Sequence, residues 1–122
     1  MRINVVTALT FVLSSLLLSL PARSAQISAI LGSPQQYNSQ TVTVTGAITG
    51  LRQRVSKRGN PYVTFTVCSD ACIHIFTFGE PVLHDGERVT VTGIFAAVKQ
   101  VGRYSFRNEI DAEAVGIRPA EQ

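Results

Sequence analysis

From Thr41 the chain alternates with a period of two. Val42, Val44, Gly46 and Ile48 fall on one side, and Thr41, Thr43, Thr45 and Thr49 on the other. Such alternation marks a strand with one buried face and predicts one over 41–55. Gly46 and Gly50 are points where a missing side chain lets it bend or bulge. The segment Arg58 to Pro61 reads as a turn. Two runs rich in β-branched and aromatic residues follow, Tyr62 to Cys68 and Cys72 to Phe78, around Ser69, Asp70 and Ala71. This predicts a hairpin with a three-residue loop.

Placing Cys68 opposite Cys72 fixes the hairpin register. One face then pairs Val67 with Ile73, Phe65 with Ile75 and Val63 with Thr77. Being almost wholly apolar, it is the expected core side. The other face pairs Thr66 with His74, Thr64 with Phe76 and Tyr62 with Phe78, and is expected to meet solvent or a ligand.

Between Gly79 and Glu87 there is room for one helical turn at most, with a turn at Asp85 and Gly86. A long strand is predicted over 88–99, and its VTVTG at 89–93 repeats the VTVTG at 42–46. The repeat suggests two strands bending in the same way within one curved sheet. After a turn at 100–103, a last strand is expected to turn Tyr104, Phe106, Ile110, Ala112 and Ala114 inward. Ser105, Arg107, Glu109, Asp111 and Glu113 alternate outward as a solvated strand face, and Asn108 breaks the series as a bulge would.

The first 25 residues read differently. One charge, Arg2, precedes an uncharged apolar run from Val5 to Leu20, then Pro21 and the small-residue stretch Ala22 to Ala25. This is the pattern of a secretory signal peptide over 1–25, with cuts after Ala22, Ser24 or Ala25 all open. A retained membrane anchor is the alternative, for which the run is slightly short. Residues 26–40 form a lead-in, with Ile27, Ile30 and Leu31 at helical spacing before a stop at Gly32, Ser33 and Pro34. It is expected to be a short helix or loose segment covering one edge of the core. The domain proper is placed at 41–118, with a short tail at 119–122.

Of 122 residues, roughly 97 follow the leader, enough for one small domain. Five strands in so short a chain bury a core by closing into a small Greek-key barrel, so the predicted class is all-β. The formal charge of +3 misleads, because setting Arg2 and Arg23 aside leaves nine basic residues against eight acidic ones.

The segments VTVTGAITGLRQR, GNPYVTFTVCSD and GERVTVTGIF, in the first, second and fourth long strands, resemble the OB-fold. The likeness is to its nucleic-acid-binding branch with tRNA-anticodon-binding-type domains, and it spans roughly 41–117. The resemblance implies a five-stranded barrel whose second and third strands carry a ligand face, flanked by the loops joining strands one and two and strands four and five. OB-folds bind single strands, sugars, proteins and small molecules alike. This chain departs from the family in its export signal, in its scant helix between strands three and four, and in a Cys pair at the hairpin tip.

Basic residues gather beside those two loops, as Arg52, Arg54, Lys57 and Arg58 and as Lys99, Arg103 and Arg107. No acidic residue occurs between Gln26 and Ser69. Cations along a groove attract phosphates and release counterions, though solvated loop charge also keeps a small domain soluble. Tyr62, Phe76 and Phe78 would stack bases, with Thr64 and His74 as polar contacts. A lead-in or a partner subunit covering these rings is the plainer reading.

Cys68 and Cys72 read as a disulfide in an exported chain. The alternative adds His74 as a C-x3-C-x-H set for Zn or Cu(I). No nucleophile–base constellation, phosphate-binding glycine loop or framed carboxylate pair is visible, so neither an enzyme nor a cofactor is expected. The sequence thus predicts an exported, periplasmic or secreted, non-catalytic module that binds single-stranded DNA or RNA. The alternative is an envelope module using the same face for a protein or small ligand. No membrane association is expected once the leader is cut.

Overall fold

The structure, a computed structural model, describes residues 22–120. The leader up to Pro21 and the last two residues of the tail lie outside the described residues. The elements are β1 (Arg23–Ser24), α1 (Ile27–Gly32), α2 (Pro34–Tyr37), β2 (Thr41–Val55), β3 (Pro61–Cys68), β4 (Cys72–Phe78), β5 (Arg88–Val101) and β6 (Tyr104–Pro119). Among the described residues, no helix is long and apolar enough to cross a membrane.

All the strands belong to one sheet of order β1-β2-β3-β4-β6-β5, and a further pairing of β5 with β2 joins its ends. The five long strands therefore form a closed circuit. The two VTVTG repeats pair with each other in antiparallel register, Val42 opposite Gly93 and Gly46 opposite Val89. Their threonines bond across the outer face, Thr43 to Thr92 at 2.8 Å and Thr45 to Thr90 at 3.0 Å. The hairpin β3–β4 has the register set by Cys68 opposite Cys72, through to Tyr62 opposite Phe78, and the two cysteines are disulfide-bonded.

The inward positions make the core. They include Val42, Val44 and Ile48 of β2, Val63, Phe65 and Val67 of β3, Ile73 and Ile75 of β4, Val91 and Phe95 of β5, and Ile110 of β6. Each such side chain contributes about 1.5–3 kcal/mol on burial. The lead-in folds as two short helices, and α1 closes one end of the core with Ile27 and Ile30. Gln26, at the N-terminal boundary of α1, supplies no side-chain cap. Asp70, from the disulfide-closed loop, accepts hydrogen bonds from the Ser28 amide and hydroxyl instead. The cap satisfies helix donors left open by the chain itself.

The Ser28 hydroxyl holds the Asp70 carboxyl below its ordinary value, with Ser69 and the Ser28 amide assisting. Since folding depresses this pKa, the cap's contribution is complete above the ordinary carboxylate value and is lost as pH falls through the depressed one. Asp70→Ala is therefore expected to lower the urea midpoint at neutral pH, and the gap from wild type should narrow as the pH is taken down past the ordinary carboxylate value and through the depressed one. A gap of constant width across that range would show that the ionised carboxylate is not the cap.

Arg23 and Ser24, which follow the open cut after Ala22, pair in parallel with Val42 and Thr43. The Arg23 guanidinium donates to Gln40 at 3.0 Å and lies 5.0 Å from the Tyr37 ring centroid. Two features differ from the sequence expectation. Tyr104 and Phe106 are exposed rather than core, and Ala114 is exposed as well. Glu109 is buried beside Ile110 rather than solvated. The break lies at Asn108, whose φ of 55° interrupts the extended backbone, so the alternation before it does not continue the one after it.

Candidate nucleic-acid interface

The outer face of β3–β4 carries three rings. Tyr62 stacks on Phe76 with centroids 5.3 Å apart and planes 28° apart, and Phe78 meets Phe76 edge-on at 4.9 Å. Phe78 is 61% exposed. The platform follows from local sequence, because alternation within each strand and the Tyr62–Phe78 pairing put all three rings on one side.

Beside the rings lies a cleft of about 340 Å³ lined by Arg52, Arg54, Thr64, Thr66 and His74, with Gly50 and Phe65. Arg52 stands opposite Thr64, and Arg54 opposite Tyr62. The structure thus brings Arg52, Arg54, Thr64 and His74 to one cleft and Tyr62, Phe76 and Phe78 to its border. Lys57 and Arg58 are exposed in the turn beyond, which is closed by Ser56 and Asn60 bonding backbone to backbone at 2.8 Å.

The other basic cluster is arranged differently. Lys99, expected as a free phosphate contact, bonds Glu109 at 3.1 Å and Asp111 at 2.9 Å. Its ammonium sits 4.1 Å from the centroid of the Phe76 ring, a favourable cation–π position. The cause is long-range. β6 runs parallel to β4, setting Glu109 against His74 and Asp111 against Phe76, so two carboxylates border the platform.

Burial alone would lower the Lys99 pKa, but Asp111 and Glu109 more than offset it and raise it. Glu109 is pushed above the usual carboxylate value, first by burial and then by Asp111, against the pull of Lys99. On the β5–β6 hairpin Lys99 faces Phe106 and Val101 faces Tyr104, whereas Arg107 faces Val98. Neighbouring pairs in a ladder point to opposite sides. Phe106 and Tyr104 therefore share the Lys99 side, and Arg107 is directed away from it. Arg103 is exposed at the turn.

Glu109 and Asp111 are thus at the site although sequence does not single them out. Their alternation is that of a solvated edge, and only the β4–β6 pairing moves them beside the rings. The Cys68–Cys72 bond occupies both sulfurs, which removes the thiolates that the metal alternative with His74 requires.

No family model matches the chain, and no curated protein does so. Solved structures do resemble it in fold. A structure of yeast Stn1 and Ten1 superposes with a TM-score of 0.62 at 11% identity, over 85% of this chain and 65% of that one. A protein assigned as an aspartyl-tRNA synthetase, from Leishmania major Friedlin, gives 0.56 at 11% identity, over 84% of this chain and 21% of that one. The chain therefore spans just under two thirds of the first and about a fifth of the second. With the strand circuit described above, these likenesses show the OB-fold.

Proposed function

We propose that this OB-fold chain is a non-catalytic module that binds single-stranded nucleic acid. The observation that carries the reading is the cleft where Arg52 and Arg54 border Thr64 and His74, next to the half-buried ring of Tyr62 and the exposed ring of Phe78. Guanidinium groups along a groove hold phosphates through charge and counterion release. Rings beside them take bases by stacking, whatever the base sequence. Likeness to a protein whose name includes tRNA supports the same direction. We also propose that residues 1–25 direct the chain out of the cytoplasm, to the periplasm or beyond. The uncharged run from Val5 to Leu20 and the disulfide support this, since disulfides persist in oxidising compartments.

Fluorescence anisotropy of labelled oligo-dT with the oxidised protein tests the reading. Binding is expected at low salt. Contacts from Arg52, Arg54, Lys57 and Arg58 would give a log–log salt slope of about −3, from roughly −0.7 per phosphate neutralised on a single strand. Absence of binding at the lowest salt would overturn it.

A second reading has its own support. Phe78 and Tyr104 are large exposed aromatic residues, and the yeast structure contains two proteins. On that reading the face receives a protein, and a concentration-dependent dimer that buries Phe78 is its expected sign.

A further inference from the structure

We propose that Glu109 and Asp111 decide how a strand lies on this face. By holding Lys99 on Phe76 they close that ring to bases and keep phosphates off the β6 side. The backbone then runs along Arg52 and Arg54, and Tyr62 and Phe78 alone take bases. This rests on the nucleic-acid reading and adds an orientation to it.

The two sides of the platform differ in charge. On the β2 side Arg52 and Arg54 line the cleft, and among the described residues the ion pairs found are the two made by Lys99. On the β6 side two carboxylates face one ammonium, a net charge of −1. A phosphate approaching there meets like charge, partly shielded from water and so weakly screened by salt. Lys99 is no free counter-charge for it. Its ammonium already has two carboxylate partners, with side chains 10% and 40% exposed, and the Lys99 side chain is itself only 23% exposed.

Phe76 is covered as well. Tyr62 stacks against it, Phe78 abuts it edge-on, and the Lys99 ammonium lies over the ring. A base stacking on Phe76 would have to displace an ammonium anchored by two charge-assisted hydrogen bonds, which are stronger than neutral ones. The platform that looks three rings wide in sequence thus offers two.

The test compares the salt dependence of oligo-dT binding by the full mature chain, wild type against Asp111→Asn and Lys99→Gln. Asp111 is the chosen carboxylate because its side chain is 40% exposed, so the substitution leaves the core alone. Thermal melts check that each variant is folded. With one anchor gone, Asp111→Asn is expected to bind about 3–10-fold more tightly at low salt. Its slope should steepen by about 0.7, the increment for one more phosphate contact.

Lys99→Gln should leave the slope at the wild-type value, because Lys99 makes no phosphate contact there. If wild type binds but Asp111→Asn matches it in affinity and slope, the orientation falls and the nucleic-acid reading stands. A slope that flattens by about 0.7 in Lys99→Gln also overturns the orientation, by showing a phosphate on Lys99. If wild type does not bind, both fall together.

Discussion

Replacing Tyr62 and Phe78 together by alanine is expected to weaken oligonucleotide binding by about 30-fold or more, with the fold retained. Stacking on an aromatic side chain is worth about 1–3 kcal/mol per base, so two rings supply about 2–6 kcal/mol, and 1.4 kcal/mol is tenfold in affinity. The fold should survive because both rings lie outside the core. Phe78 is 61% exposed, while the inward positions of the same strands, Val63, Phe65, Ile73 and Ile75, are each at most 2% exposed. Tyr62 does pack on Phe76, so a small fall in the melting temperature is expected as well. Anisotropy titration and a thermal melt on the same preparation separate the two effects. A folded double variant with wild-type affinity would remove the platform from the mechanism and favour a protein ligand for this face.

The hairpin that carries these rings is the part of the fold most legible in the sequence. Its two strands are adjacent in the chain, and one assumption, Cys68 opposite Cys72, determines every pair out to Tyr62 and Phe78. The apolar face that results is almost wholly aliphatic and aromatic, so a slip of one residue would expose it. The basic residues Arg52 and Arg54 were legible for the same reason, since β2 and β3 are joined by a short turn.

What could not be read depends on contacts distant in sequence. Nothing local in Glu109 or Asp111 tells that β6 lies parallel to β4, yet that pairing turns an apparent solvated edge into the acidic border of the site. It also converts Lys99 from a free cation into a partner for both acids. Tyr104 and Phe106 were misassigned for a backbone reason. Alternation is evidence of a shared face only while the chain stays extended, and the positive φ of Asn108 breaks it between Phe106 and Ile110.

The largest loss of stability is expected at the glycines that end the two VTVTG repeats. Gly46 lies beside Ala47, the residue at which β2 passes from pairing with β5 to pairing with β3. Gly93 lies where the register between β5 and β6 shifts. At both points another strand crosses close against the backbone. A Cβ on Gly46 would stand 2.5 Å from the Cys68 carbonyl oxygen, and one on Gly93 would stand 2.5 Å from that of Asp111 and 2.9 Å from the Ala112 Cα.

These neighbours are main-chain atoms of paired strands, so they cannot rotate away. Forced overpacking of this kind costs about 1–3 kcal/mol, and more where the backbone must move. Gly93→Ala is therefore expected to lose about 3 kcal/mol in urea unfolding. Gly32→Ala, with nothing within 4 Å of the added carbon, should be close to neutral. Equal midpoints for the two variants would deny the close approach. Because the displaced neighbour of Gly93 is Asp111 itself, any folded fraction of Gly93→Ala should also shift the carboxylate that holds Lys99. Its oligonucleotide salt slope should then move toward that of Asp111→Asn. The glycine that lets the sheet close thus also positions the acidic border of the binding face.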